Sequence, residues 1–282
     1  MIVYFNGKYI EENDVKISPF DRGFQYADGV YEVLRTYNKK YFMINEHIER
    51  LKYSLTEIKI DFFDYYDKLF GIFDSLIRKN NYKDDEVTVY LQVTRGRAYP
   101  RTHQFPEKNT EPTVIITAAP VISKRELNKN GIKIILEKDI RWERCDIKSI
   151  SLLPNVLINQ KAKENGAHEA VWIKHGFLTE GTHTNFFGIK KGKVYSYPLS
   201  NNILPGITRM VISGLCSKLN IEFLNEGIKQ NELDNFDEFF LTGTTTEVMP
   251  VTVIGNNKIG GGKPGEITTE IQSAFYDLTS GN

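Results

Sequence analysis

Four short segments carry side chains whose types and spacing could do chemistry. In Arg141-Trp142-Glu143-Arg144-Cys145-Asp146-Ile147-Lys148 a lysine stands among arginines and beside apolar Ile147. Such an amine can serve as a nucleophile, although alone the segment reads first as a solvated surface lysine. Thr179-Glu180-Gly181-Thr182-His183-Thr184-Asn185 offers a carboxylate. Paired with a protonated ring nitrogen, Glu180 would keep a pyridine cationic and able to accept electrons from an adjacent carbanion; the same residues also suit a β-turn with Glu180 exposed. Leu204-Pro205-Gly206-Ile207-Thr208-Arg209 places Pro-Gly before a helix whose first amides, with a threonine hydroxyl, make a ready phosphate site. Gly243-Thr244-Thr245-Thr246 adds amides and hydroxyls just after a strand. Both are equally at home as an ordinary helix start and a polar turn. Finally, Pro100 and Pro106 stiffen a loop carrying Arg101 and His103 two residues apart. In an extended loop these fall on one side and could clamp a carboxylate, Arg as the charged fork and His as a second donor; an unremarkable surface loop is the alternative. With no Cys or His cluster, no metal site is expected.

The elements that must position these residues follow from patterning. Asn6-Gly7 between short apolar runs predicts a hairpin. Val30 to Tyr37 and Tyr41 to Ile44 read as strands about an Asn38-Lys39-Lys40 turn. Asn45 is placed to cap a helix through His47, Ile48, Leu51 and Leu55. Leu69, Ile72, Phe73, Leu76 and Ile77 form a second helical stripe. Val87 to Thr94 and Pro112 to Ala118 are rich in β-branched residues. After Ala119-Pro120 the polar stretch Ser123 to Gly131 reads as containing a linker. Strand patterns resume at Ile132 to Leu136, a helix is expected from Asn155 to Glu164 with Gly166 as its cap, and strands and hairpins from Glu169 to Tyr197. Helices are expected at Ile207 to Leu219 and Glu266 to Leu278, with a strand at Phe239 to Leu241. The pattern is α+β, split near residue 120.

Bulk properties narrow the class. The 282 residues fit one large domain or two moderate ones. Lys plus Arg equals Asp plus Glu at 36 each, so no net charge draws the chain to nucleic acid or an anionic membrane. Two cysteines without a CxxC pair suggest neither a disulfide framework nor a zinc site. The N-terminus reads as a hairpin strand rather than a leader, and no apolar run is long enough to span a bilayer. A reducing cytoplasm is the default location.

Taken together and in order, these segments resemble the fold-type IV pyridoxal-phosphate-dependent aminotransferases, and within them the bacterial D-amino acid aminotransferases. The most specific matches are Asp21-Arg22-Gly23-Phe24-Gln25-Tyr26 with Asp28-Gly29-Val30-Tyr31-Glu32-Val33, Asn45 to Leu51, Gln92 to Gly96, Arg101 to Pro106, and Ile140 through Ser149. Glu180-Gly181 with Asn185, Gly206 to Arg209 and Thr244-Thr245 complete the series. The resemblance implies a two-domain fold with pyridoxal 5′-phosphate at the domain interface. Residues 1–119 would form a small N-terminal α/β domain, 120–130 a linker, and 131–282 a large α+β domain carrying the Schiff-base lysine. It implies that Lys148 holds the cofactor and shuttles a proton, that Glu180 partners the ring nitrogen, and that Arg50, the Ile207 and Thr208 amides and Thr244 form the phosphate cup. Arg141 would lie behind the cofactor site and Leu204 against the ring. Tyr31, Arg101 and His103 would trap the substrate carboxylate, the Arg-His loop reaching across from the other subunit of a homodimer. The implied reaction is ping-pong transamination between a D-amino acid of D-alanine or D-glutamate type and 2-oxoglutarate or pyruvate. Branched-chain L-aminotransferases and R-selective amine transaminases share the fold and are the alternatives. Thr182, His183 and Thr184 depart from the serines of the best-known relatives, and Gly243 stands where a serine is common.

Overall fold

A computed structural model of the chain describes residues 1–83, 86–107, 109–122 and 125–281. The chain divides into two compact units, one made of Met1–Val121 with Ile147–Ser151 and the other of Ile122–Asp146 with Leu152–Asn282.

The first unit is an antiparallel sheet backed by helices. Its strands are β1 (Ile2–Phe5), β2 (Lys8–Glu11), β3 (Gly29–Tyr37), β4 (Lys40–Tyr41), β5 (Val87–Thr94) and β6 (Thr113–Pro120), ordered β2-β1-β6-β5-β3-β4. Gly7 turns the first hairpin at φ +87°, as the Asn-Gly pair predicts. A short helix α1 (Arg22–Tyr26) precedes β3, and α2 (Ile44–Glu57) and α3 (Leu69–Lys79) follow β4. Asn45 does not cap α2: the cap position is two residues earlier, at Met43 in the left-handed region at φ +53°, with no side-chain cap. Ile44 therefore belongs to the helix, and β4 is shorter than the expected strand. Alternation along β5 turns Val87, Val89, Leu91 and Val93 inward, where they meet Leu51 and Leu55 of α2 and Phe73 and Leu76 of α3 in one core.

Ile147–Ser151 joins this unit, unlike the expectation that the second domain carries Lys148. The cause is backbone pairing: the Tyr31 amide donates to Lys148 O at 3.0 Å and the Ile150 amide to Gly29 O at 3.1 Å. Val30 and Ser149 form a bridge, and Ile147 enters the first unit's core.

The second unit is built on a ten-stranded mixed sheet. Helix α4 (Arg125–Asn130) stands within the stretch expected to be linker, of which Ser123 and Lys124 lie outside the described residues. There follow β7 (Ile132–Lys138), α5 (Leu153–Glu164), β8 (Glu169–Lys174), β9 (Phe177–Gly181), β10 (Asn185–Lys190), β11 (Lys193–Ser196), α6 (Ile207–Lys218), β12 (Phe223–Leu224), β13 (Ile228–Lys229), β14 (Glu238–Gly243), β15 (Glu247–Ile254), β16 (Asn257–Lys258) and α7 (Glu266–Ser280). The strand order β10-β14-β15-β7-β8-β9 returns to β10, because Asn185 pairs with Glu180. This ring encloses Ile134, Val171, Leu178, Phe186, Phe239, Leu241 and Val251. Among the described residues, no helix is long and apolar enough to cross a membrane.

Leu91 is 0% exposed at the centre of the first sheet. Leu91→Ala should lower the unfolding free energy by about 2–5 kcal/mol, the range for a leucine cavity that cannot collapse. Denaturant titration reads this, and a loss under about 1 kcal/mol would show the sheet to be loosely packed there.

Candidate active site

The first unit gathers five of the expected site residues. Tyr31 and Glu32 are neighbours on β3, so their side chains face opposite sides of the sheet. Glu32, 1% exposed, receives the Arg50 guanidinium through both oxygens, Nε to Oε2 at 3.0 Å and Nη2 to Oε1 at 2.7 Å. It also accepts from His47 Nδ1 at 3.0 Å. His47 and Arg50 are three apart on α2, hence on one helical face. Burial alone would raise the Glu32 carboxyl. The charges of Arg50 and His47 and their hydrogen bonds outweigh it and hold the group well below the ordinary range. Burial in turn lowers the His47 pKa, against the pull of Glu32.

Lys148 is presented from the added strand. Its amide donates to Ser54 Oγ of α2 at 3.1 Å, and its Nζ lies 4.2 Å from the centroid of the Tyr31 ring, which stacks on Tyr90. Arg101 and His103 are both exposed. Their contacts are with Tyr26: the Arg101 guanidinium lies 4.5 Å from that ring centroid and the His103 ring 5.4 Å from it. The expected carboxylate trap thus falls into two clusters within one chain, Tyr31 with Lys148 and Arg101 with His103.

The second unit gathers the others at one end of its strand ring. Glu180 is the second-last residue of β9 and Asn185 begins β10, and the turn between them lies beside the β14–β15 turn containing Thr244. The Glu180 carboxylate is buried and surrounded by donors: Arg141 Nη1 at 2.6 Å, the Leu204 amide at 3.0 Å and Asn185 Nδ2 at 3.2 Å. Burial pushes this carboxyl up to about 7, against Arg141 and the Leu204 amide. Asp139 grips the same Arg141 from the other side, Nη2 to Oδ2 at 2.8 Å and Nε to Oδ1 at 3.0 Å. Burial alone would lower the Arg141 pKa, but Glu180 and Asp139 hold it above its usual value.

Asn185 Nδ2 also donates to Leu204 O at 3.0 Å, tying Glu180 to the approach of α6. Gly206 caps α6 with no side-chain bond, and a Cβ there would collide with the Asn185 carboxamide, so a glycine is required. The Ile207 and Thr208 amides in the first helical turn therefore lack a side-chain cap, the state of a helix end that can receive an anion.

Sequence patterning gave no role to Glu32, Asp139, Asn185 or Glu169, although Glu32 and Asn185 fall within the matched motifs. Only Glu32 left a usable signal, a charge on the same register as Val30 and Leu34 of β3. Glu169 is 2% exposed and holds the 181–184 turn through Thr182 Oγ1, Thr184 Oγ1 and the Thr182 amide. His183 Nδ1 reaches it at 2.8 Å.

The sequence of this chain matches the model for amino-transferase class IV over residues 29–254. The chain belongs to the class IV aminotransferases. A D-alanine aminotransferase of Bacillus licheniformis is 42% identical over 277 residues, covering 98% of this chain and 96% of that one. One from Staphylococcus haemolyticus is 38% identical, covering 97% and 96%. Among solved structures, the branched-chain amino acid aminotransferase of Escherichia coli aligns at a TM-score of 0.90 with 26% identity, over 99% of this chain and 95% of that one. The two-unit α+β fold is thus that of the class IV aminotransferases, as the sequence motifs imply.

Glu169 gives this class IV aminotransferase a measurable acid dependence. Burial would raise its carboxyl, but the His183 charge and the hydrogen bonds from His183, Thr182 and the Ala170 amide bring it from 4.5 down to about 2. A carboxyl depressed on folding stabilises the fold above its unfolded pKa, and that contribution disappears as pH falls toward the folded value. Glu169→Gln should therefore cost on the order of 3 kcal/mol near pH 6, with the gap to wild type narrowing between about pH 4.5 and 2. Unfolding curves at several pH values check this; a gap independent of pH would mean that Glu169 acts only through its shape.

Proposed function

We propose that this protein transfers the amino group of a D-amino acid, of D-alanine or D-glutamate type, to a 2-oxo acid such as 2-oxoglutarate or pyruvate, in a ping-pong exchange on pyridoxal 5′-phosphate. Curated relatives at 36% to 42% identity over nearly the whole chain are D-alanine aminotransferases. The observation that carries the cofactor is Glu180, a buried carboxylate oriented by Arg141, Asn185 and the Leu204 amide. A carboxylate so oriented suits a pyridinium nitrogen, and the uncapped α6 start in the same unit suits a phosphate.

When bound, pyridoxal phosphate supplies an aldehyde that takes up amines and a ring that draws electrons from the substrate Cα. Lys148 Nζ would hold that aldehyde carbon and, once released, carry the proton taken from Cα. Glu180 would keep a proton on the ring nitrogen, with Arg141 and Asp139 fixing its oxygens. The Ile207 and Thr208 amides, the Thr244 hydroxyl and Arg50 would hold the phosphate, and Leu204 would lie against the ring.

Tyr31, Arg101 and His103 would bind the α-carboxylate, the one group that both acids of the exchange share. Because Arg101 and His103 cluster on Tyr26 rather than with Tyr31, the reading calls for a homodimer in which that loop serves the partner's site. Cys145 and Cys216 are free, buried thiols, which supports a place in the reducing cytoplasm.

Chirality tests the reading most directly. Lys148 fixes the face of the ring on which the proton moves, so handedness follows from where the carboxylate is held. D-alanine and D-glutamate should be far better donors to 2-oxo acids than their L-forms, and Arg101→Ala should raise KM for acids with cofactor binding intact. L-leucine outperforming every D-amino acid would instead favour a branched-chain L-aminotransferase, and efficient use of R-amines lacking a carboxylate would favour an amine transaminase.

Two further substitutions test the machinery. Lys148→Ala should lose the borohydride-trapped adduct and the yellow absorbance that borohydride abolishes; an adduct mapped to another lysine would displace Lys148. Glu180→Gln should keep the cofactor but slow single-turnover proton transfer by roughly tenfold to a hundredfold, the equivalent of one charge-assisted hydrogen bond. An unchanged rate would leave Glu180 as a turn residue.

A further inference from the structure

Helix α1 is only five residues long and is braced far more heavily than its length requires. Asp21 caps it by accepting from the Gly23 amide at 2.8 Å and is itself held by the hydroxyls of Thr94 and Thr113. At its other end Asp28 joins two buried arginines. Arg22 Nε donates to Oδ2 at 2.8 Å, and Arg95 donates to Oδ2 through Nε at 2.7 Å and to Oδ1 through Nη2 at 2.9 Å. Burial alone would raise the Asp28 carboxyl, but the two guanidiniums hold it below its usual range, so it stays ionised as their shared anchor.

The rest of the Arg22 guanidinium is turned onto the loop that carries Arg101 and His103. Nη1 donates to Thr102 O at 2.8 Å and to Gln104 O at 3.3 Å, and Nη2 to His103 O at 3.4 Å. One buried cation therefore collects three consecutive carbonyls of a loop that has no ladder of its own. Tyr26, one turn further along α1, presents its ring to the side chains. It lies 4.8 Å from the Arg22 guanidinium carbon, 4.5 Å from that of Arg101, and 5.4 Å from the His103 ring. Backbone and side chains of the loop are thus set by two residues of the same short helix, where a surface loop would otherwise sample many rotamers.

We infer that α1 is the platform of the carboxylate clamp: Arg22, held by Asp28, fixes the 101–104 backbone, and Tyr26 fixes the directions of Arg101 and His103, so that these positioning residues set the affinity for the substrate α-carboxylate. The inference rests on the proposal that Arg101 and His103 bind that carboxylate. It assigns no chemistry to α1 itself, and a misplaced clamp weakens binding before it slows proton transfer.

Tyr26→Leu is the first variant, since it strands no buried charge; Asp28→Asn is the second. In the holoenzyme each should raise KM for D-alanine about fivefold or more, with kcat changed less than twofold and the borohydride-trapped cofactor undiminished. In an Arg101→Ala background the same substitutions should raise KM much less, because residues acting through one group are not additive. Trypsin should also cut after Arg101 faster in both variants. An equal KM rise in the Arg101→Ala background would overturn the inference, since α1 would then act by another route; so would unchanged KM and unchanged cleavage. If Arg101→Ala itself behaves as wild type while cleavage is still accelerated, the carboxylate assignment fails and the anchoring of the loop by α1 stands.

Discussion

A single buried carboxylate organises the second unit. Glu180 and Asn185 are the residue pair through which β9 meets β10 and the strand ring closes. Their side chains bond to each other, to the Leu204 backbone and to Arg141. Leaving a charged oxygen unpaired in such surroundings costs several kcal/mol, so each partner is constrained. Asn185 must bridge to Leu204, Gly206 must lack a side chain to let the carboxamide in, and Arg141 must be balanced by Asp139 as well. The position of the α6 start, and with it the candidate anion site, follows from the needs of one glutamate.

The first unit follows the same rule with different residues. Glu32 lies between Val30 and Leu34 on the inward face of β3 and is tolerated there because α2 brings His47 and Arg50 to it. That pairing fixes the register of α2 on the sheet more narrowly than the apolar contacts of Leu51 and Leu55 can, since an apolar interface tolerates small shifts and a bidentate guanidinium–carboxylate pair does not. Ser54, one turn beyond Arg50, then receives the Lys148 amide. The lysine is thereby held by the same helix that Glu32 places.

Much of this was legible before any coordinates, because apolar spacing reports helices and strands directly. The stripes of α2, α3, α6 and α7, the Asn6-Gly7 hairpin and the β-branched runs of β5 and β6 all form near their expected positions. The misses share a cause. Asn45 carries a good cap side chain, but Met43 in the left-handed region starts the helix earlier, and no propensity scale marks methionine for that role. The 120–130 stretch is polar, yet a short helix forms within it. The family resemblance put Lys148 in the second domain, whereas its backbone pairs with β3, a contact more than a hundred residues away in sequence. Glu32 and Asp28 meet Arg50 and Arg95, 18 and 67 residues further along the chain, whereas Asp139 finds Arg141 only two residues away. A charge in a sequence shows that a partner is needed and says nothing of which one it will find.

The distribution of rigidity accords with what transamination demands. Two different acids must enter one site in turn, so the end of the site that reads their common carboxylate has to be stiff while the end that meets their side chains has to be permissive. Stiffness here is obtained electrostatically. Arg22, Arg50, Arg95 and Arg141 each have buried side chains paired to a carboxylate that is itself enclosed. Arg101 and His103 remain exposed and rest on a tyrosine, with no ion pair to an acid among the described residues. A guanidinium already committed to a protein carboxylate would have little left to offer a substrate. An arginine oriented by an aromatic face keeps its donors free for one. The departures from the usual serines, Thr182, His183 and Thr184, fall instead on the turn tied to Glu169.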